Sequence, residues 1–257
     1  MLVRSLFAAA LLAASAASLA QLRPSQPEPP SGWTPKTLAH AKRFMVAAAD
    51  PLAVDAGVRM LEQGGSAVDA MIATQLVLTL VEPQASGLGG GAFFLHYDAA
   101  AKRMSAIDAR ETAPSGATPE LLMKDGKPMA FQQAVVGGRS VGTPGTPRLL
   151  EAAHARHGKL PWAKLFEPAI ALAENGFPLS RRVAELLTRD LGLADNPAAR
   201  AYFFDAEGKP RAKGATMRNP EFATTLRLMA EKGADAYYTG EVAADISAAV
   251  RGHATNP

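Results

Sequence analysis

The run from Ala67 to Val81 (Ala-Val-Asp-Ala-Met-Ile-Ala-Thr-Gln-Leu-Val-Leu-Thr-Leu-Val) constrains the fold more than any other part of this chain. Ser66 is placed to cap it, Asp69 stands three residues on as a weaker version of the capping box, and Pro83 stops it. The pattern predicts a helix that is apolar almost all round, and such a helix must be buried on most of its sides. Fifteen residues rise only about 22 Å, and Asp69 and Gln75 interrupt them, so the run does not read as a membrane span. An amphipathic helix precedes it. Asp50 caps that helix, Pro51 occupies its first turn, Val54, Val58 and Leu61 share a face, and Gly64-Gly65 ends it. Phe44 to Ala49, just upstream, reads as a short buried strand. The sequence contains no cysteine, so packing alone must hold the fold, and a hydrophobic content of 48% can supply it.

The N-terminus follows a different logic. Arg4, the apolar run Leu6 to Ala14 and the small-x-small pattern Ser18-Leu19-Ala20 read residues 1–20 as a secretory signal peptide. The expected location is therefore exported, periplasmic or extracellular, with no membrane anchor after cleavage. Residues 21–43 read as a Pro-rich linker, with Pro24, Pro27, Pro29, Pro30 and Pro35 in it. The globular region is expected over 44–257. Lys and Arg are scattered and only 6% of residues are aromatic, which argues against a nucleic-acid surface.

Beyond Pro83, four glycines (87, 89, 90 and 91) lead into two apolar-leaning runs, Ala92 to Tyr97 and Arg103 to Glu111, separated by a polar turn. These read as a hairpin, with Met104, Ala106, Asp108 and Arg110 on one face of its second strand. Helices are expected over 147–157, 162–175, 179–191, 220–232 and 241–251. Gly158, Gly176, Gly192 and Gly233 are expected as left-handed caps at or just past helix ends. The architecture expected from these elements is α/β (α+β).

Ile107-Asp108-Ala109-Arg110-Glu111-Thr112-Ala113-Pro114 puts a guanidinium between two carboxylates at a strand end. A rigid fork of donors fits a carboxylate in a bidentate way, so Arg110 could anchor an acidic small molecule. A purely structural Asp–Arg–Glu cluster is the other reading. The 87–91 glycines do not make a phosphate loop, because a helix precedes them and a strand follows, the reverse of what that site needs. Close backbone packing or a turn with positive φ accounts for them better. Gly138-Arg139-Ser140-Val141-Gly142 matches the nucleophile-elbow letters, but the prolines and glycines after it cannot form the helix that an elbow requires. A serine hydrolase using Ser140 is the rival this motif raises. His154 and His157 stand at i, i+3 and supply half a zinc site at best, so they read as solvated surface residues and no metal is expected.

Three motifs in order (Ser86-Gly87-Leu88-Gly89-Gly90-Gly91, Asp108-x-Arg110-Glu111-x-Ala113-Pro114 and Gly142-Thr143-Pro144-Gly145-Thr146) resemble the large subunit of the gamma-glutamyltranspeptidase (glutathione hydrolase) family, and the similarity runs from about Phe44 to the end. The resemblance implies the four-layer αββα sandwich of N-terminal-nucleophile hydrolases, present here as an incomplete, large-subunit portion. It implies that Arg110 binds the α-carboxylate of a γ-glutamyl donor such as glutathione, and that no cofactor is used. The family's nucleophile is a threonine exposed at the start of a small subunit by self-cleavage of the precursor, so no catalytic residue is expected within this chain. The partner implied is that small subunit. A cephalosporin-acylase-like member and a non-catalytic γ-glutamyl-binding or subunit-pairing chain are the alternatives within the resemblance.

Overall fold

The computed structural model describes residues 37–189 and 192–255. The expected signal peptide (1–20) and most of the linker (21–36) lie outside the described residues. The chain divides after His40, and the fold below belongs to the unit that begins at Ala41. In chain order its elements are α1 (Pro51–Glu62), α2 (Ala67–Val81), β1 (Ala92–Asp98), β2 (Arg103–Ala109), β3 (Met123–Lys124), β4 (Lys127–Pro128), α3 (Phe131–Val135), α4 (Thr146–His157), α5 (Glu167–Asn175), β5 (Phe177–Pro178), α6 (Arg181–Leu187), α7 (Pro197–Phe203), β6 (Thr216–Met217), α8 (Pro220–Lys232), α9 (Asp235–Tyr238) and α10 (Gly240–Arg251).

Helix α2 is the centre, as its composition demands. Only Ala67, Met71, Gln75 and Leu78 escape full burial, and they form a single stripe along it. Helices α1, α4 and α5 and the 3₁₀ turn Trp162–Phe166 pack round the rest. Ile72, Leu76, Val77, Leu150, Leu165, Phe166, Leu226 and Met229 are fully buried, each contributing roughly 1.5–3 kcal/mol by burial. The full capping box is present at the start of α2. Ser66 Oγ accepts from Asp69 N at 3.1 Å, and Asp69 Oδ2 accepts from Ser66 N at 2.7 Å.

The hairpin forms in the register Ala92↔Ala109 to Asp98↔Arg103. Its inner face, including Phe94 and Ile107, packs toward the core, and α4 lies against both strands. Its outer face carries Phe93, Leu95, Tyr97 and Met104, all more than half exposed. Ala106, Asp108 and Arg110 continue that exposed face, as alternation requires.

Several expectations change. Phe44–Ala49 is not a strand. It alternates in exposure, with Val46 and Ala48 packed on the core, but no neighbouring strand pairs with it among the described residues. The helix expected over 162–175 splits into a 3₁₀ turn and α5, because Pro168 lacks the N–H that would bond back to Lys164 and its ring would crowd that carbonyl. The helix expected from Leu179 begins only at Arg181. Leu179 N instead donates to Ala215 O (2.8 Å), while Ser180 Oγ caps the helix by accepting from Val183 N at 3.2 Å. Helix α6 ends at Leu187. Gly176, Gly192 and Gly233 do adopt positive φ, but Gly158 has φ −66. A side chain at Gly158 would overlap the His154 ring, so that glycine is there for space.

Candidate active site

The three glycine- and proline-rich motifs converge on one place, the end of β2. After Ala109 the hairpin ladder stops and the chain pairs instead with the 142–146 loop. Thr112 and Thr143 exchange both backbone hydrogen bonds, at 3.2 and 2.8 Å. That loop is tied in turn to the glycine segment. Gly145 N, Thr146 N and Thr146 Oγ1 all donate to Gly90 O, at 3.0, 3.1 and 3.1 Å. The packing leaves no room for side chains. A Cβ on Gly91 would lie 2.7 Å from Ala109 O, Arg110 Cα and Glu111 N, and one on Gly145 would overlap the Ala109 carbonyl. None of Gly87, Gly89, Gly90 and Gly91 has positive φ, and of the four only Gly91 is bare for want of space, since a Cβ on the other three would meet nothing closer than 3.5 Å.

We expect Gly145→Ala to destabilise the fold by about 1–3 kcal/mol, as overpacking does, because both partners in the clash are backbone. A urea midpoint equal to that of the parent chain would contradict this account.

The clamp fixes Arg110. Its N–H donates to Asp108 Oδ1 at 2.9 Å, and its Nε donates to Glu111 Oε2 at 3.2 Å. The side chain is 66% exposed, so this surface pair contributes little stability. Glu111 is held below its ordinary value chiefly by its own backbone N–H; burial opposes this, and the Arg110 charge and the Gly91 N–H add to the lowering. A cleft of about 300 Å³ opens beside Arg110, lined also by Thr143, Pro144, Arg148, Leu149 and Tyr238.

The far wall is held by hydrogen bonds and ion pairs. Tyr238 OH donates to Pro144 O (2.8 Å) and accepts from Arg148 N (3.2 Å). The Arg148 guanidinium, 5.0 Å above the Tyr238 ring, is bound by Glu151 at 2.6 Å and Asp235 at 2.5 Å. Its charge is therefore already met by two carboxylates, whereas Arg110 has one and keeps most of its fork open to the cleft side and solvent. Sequence reading missed this wall, since Arg148 and Tyr238 lie 90 residues apart. Burial pushes the Tyr238 hydroxyl up from its ordinary value and that of neighbouring Tyr237 up to about 12, so both rings are neutral at physiological pH.

The other candidates do not join this site. Ser140 Oγ lies 2.9 Å from both the Val135 and Gly137 carbonyls and ends a 3₁₀ turn rather than opening a helix, so it has neither the base nor the geometry of an elbow. His154 and His157 are not the solvated pair expected. His154 Nε2 is 2.8 Å from Leu160 O, which requires that nitrogen to carry the proton. The His157 ring stacks on His96, with centroids 4.0 Å apart. Their shared helix turns the two rings to different partners.

A family profile described as Gamma-glutamyltranspeptidase matches residues 53–254. The glutathione hydrolase proenzyme of Bacillus subtilis is 39% identical over 211 residues, covering 82% of this chain and 36% of that protein. The chain thus spans little more than a third of that relative's length. The crystal structure of Helicobacter pylori gamma-glutamyltranspeptidase superposes with a TM-score of 0.79 at 30% identity, covering 84% of this chain and 62% of that one. Cephalosporin acylase from Bacillus halodurans gives a TM-score of 0.67 at 28% identity, covering 84% of this chain and 42% of that one. The fold is accordingly the large-subunit portion of an N-terminal-nucleophile hydrolase, and with the profile covering most of its length this chain belongs to the gamma-glutamyltranspeptidase family.

Proposed function

We propose that this chain is the donor-binding part of an exported enzyme that hydrolyses glutathione and related γ-glutamyl amides or transfers their γ-glutamyl group. The observation that carries the reading is Arg110, with its backbone clamped by three motifs and its guanidinium open at the lip of a cleft. Arg110 takes the α-carboxylate of the donor in a charge-assisted pair, which sets the amide carbon at a fixed distance from the nucleophile. The nucleophile is the N-terminal threonine of a small subunit from the same precursor, and the relatives' designation as proenzymes supports this. Its hydroxyl oxygen attacks the amide carbon while its own α-amine takes the proton. The carbon–nitrogen bond breaks, the amine leaves with that proton, and water or an amino acid then accepts the acyl group from the ester. The apolar outer face of the β1–β2 hairpin is the surface the remaining sheet covers. No helix among the described residues is long and apolar enough to cross a membrane, which fits release after signal cleavage.

The test uses the full-length precursor with γ-glutamyl-p-nitroaniline and glutaryl-p-nitroaniline. Faster nitroaniline release from the γ-glutamyl compound is expected. Preference for the glutaryl compound would move the assignment to a cephalosporin-acylase type, and release from neither would reject both.

A further inference from the structure

A second cleft lies between α7 and β6. It measures about 490 Å³, against about 300 Å³ beside Arg110, and is lined by Ala201, Tyr202, Arg211, Thr216, Met217 and Arg218. Two features of its lining bear on what it can hold. Its two guanidiniums are braced by neutral acceptors, since Arg211 Nε donates to Tyr202 O at 3.0 Å and Arg218 Nε donates to Asn175 O at 3.2 Å. Elsewhere in the fold, Arg148, Arg181 and Arg227 meet carboxylates. Neither Arg211 nor Arg218 forms an ion pair among the described residues, and no Asp or Glu lines the cleft. Each side chain is thus oriented through one edge while its charge and its remaining N–H groups stay unmatched.

The second feature is the set of hydroxyls. Tyr202 OH and Thr216 Oγ1 make no hydrogen bond to any described group. Burial raises the Tyr202 pKa from its ordinary value, with the Arg211 charge opposing, so the phenol remains a neutral donor at physiological pH. Gly176, at φ 102, packs against two of the lining side chains. A Cβ there would lie 2.7 Å from Thr216 Cγ2 and 3.3 Å from Arg218 Nε, displacing both.

From this arrangement we propose that the α7/β6 cleft binds a small dianion of phosphate or dicarboxylate type, at a site separate from the Arg110 cleft. Two oriented guanidiniums supply paired N–H donors to acidic oxygens, and the two hydroxyls complete the shell. The volume leaves room for a small organic frame on the anion. Nothing in this inference depends on the γ-glutamyl assignment.

Calorimetric titration of the chain with inorganic phosphate and, separately, with glutarate tests it. Saturable binding of at least one is expected, and the anion that binds identifies the source. The double variant R211Q/R218Q should weaken binding by roughly tenfold or more, and R211K/R218K by less, because lysine keeps the charge without the fork. Tyr202→Phe with Thr216→Val preserves the shape of the cleft and should weaken binding several-fold, roughly the loss of one or two hydrogen bonds. That variant decides the matter if circular dichroism shows R211Q/R218Q unfolded. Absence of saturable heat with both anions overturns the proposal. So does unchanged affinity in the folded variants.

Discussion

In the full-length enzyme, Arg110→Ala is expected to lower kcat/KM for γ-glutamyl-p-nitroaniline by about thirty- to a few-thousand-fold, equivalent to about 2–5 kcal/mol. The loss reflects a carboxylate left without its charged partner in a partly enclosed cleft. Arg110→Lys should recover only part of it, since an ammonium is a point charge and cannot reproduce two parallel N–H bonds. The structure makes this a clean test of function. With its side chain 66% exposed and its one side-chain partner the surface residue Glu111, Arg110 contributes little to folding. The unfolding midpoint of Arg110→Ala should therefore stay within about 0.5 kcal/mol of the parent while activity falls. Kinetics equal to those of the parent would remove Arg110 from the site. Equal losses of stability and activity would return it to the role of a structural ion pair.

The second large effect is on stability. Asp69→Ala should cost about 3–5 kcal/mol, since each buried N–H left unpaired costs roughly 1–3 kcal/mol and such losses are not additive. Asp69 is completely buried. Its carboxylate accepts from Ser66 N at 2.7 Å, Lys159 N at 2.9 Å and Leu160 N at 3.1 Å. It therefore caps α2 and also fastens the chain leaving α4 to the start of α2. His154 stands 3.8 Å away and closes the same corner through Leu160 O. Asp69→Asn should be milder, because it keeps one acceptor oxygen but turns N–H donors toward N–H donors. Urea unfolding at constant m-value measures both variants. A midpoint for Asp69→Ala matching the parent chain would show that water replaces the carboxylate and that the corner is not as closed as its burial implies.

Asp69 also shows where sequence reading reaches its limit. Its capping role at α2 follows from the spacing to Ser66, three residues away. Its other two partners lie 90 and 91 residues along the chain. His154 and His157 carry the same lesson. Their spacing correctly places them on one helix, but whether each ring meets water, a carbonyl or another ring depends on the 158–160 turn and on β1. The short buried strand expected at Phe44–Ala49 is instead an extended run of alternating exposure with no paired neighbour among the described residues, because a strand is defined by a neighbour and an apolar run cannot supply one.

The glycine motifs divide in the same way. Their letters exclude a phosphate loop and an elbow, since those depend on the local order of strand, turn and helix. That Gly91 and Gly145 are bare so that two backbones can close on Ala109 and Arg110 is visible only once residues 90, 110 and 145 are brought together.

The sequence by itself determined the buried helix with its caps, the hairpin and its two faces, and the family, all of which rest on periodicity and on motifs a few residues long. Only the tertiary structure decided that Arg110 is clamped beside a cleft, that Arg148 across it is already neutralised, and that Arg211 and Arg218 share a cleft without an acid. A charge acquires its meaning from what stands within a few ångströms of it, and in this chain those neighbours come from segments tens of residues apart.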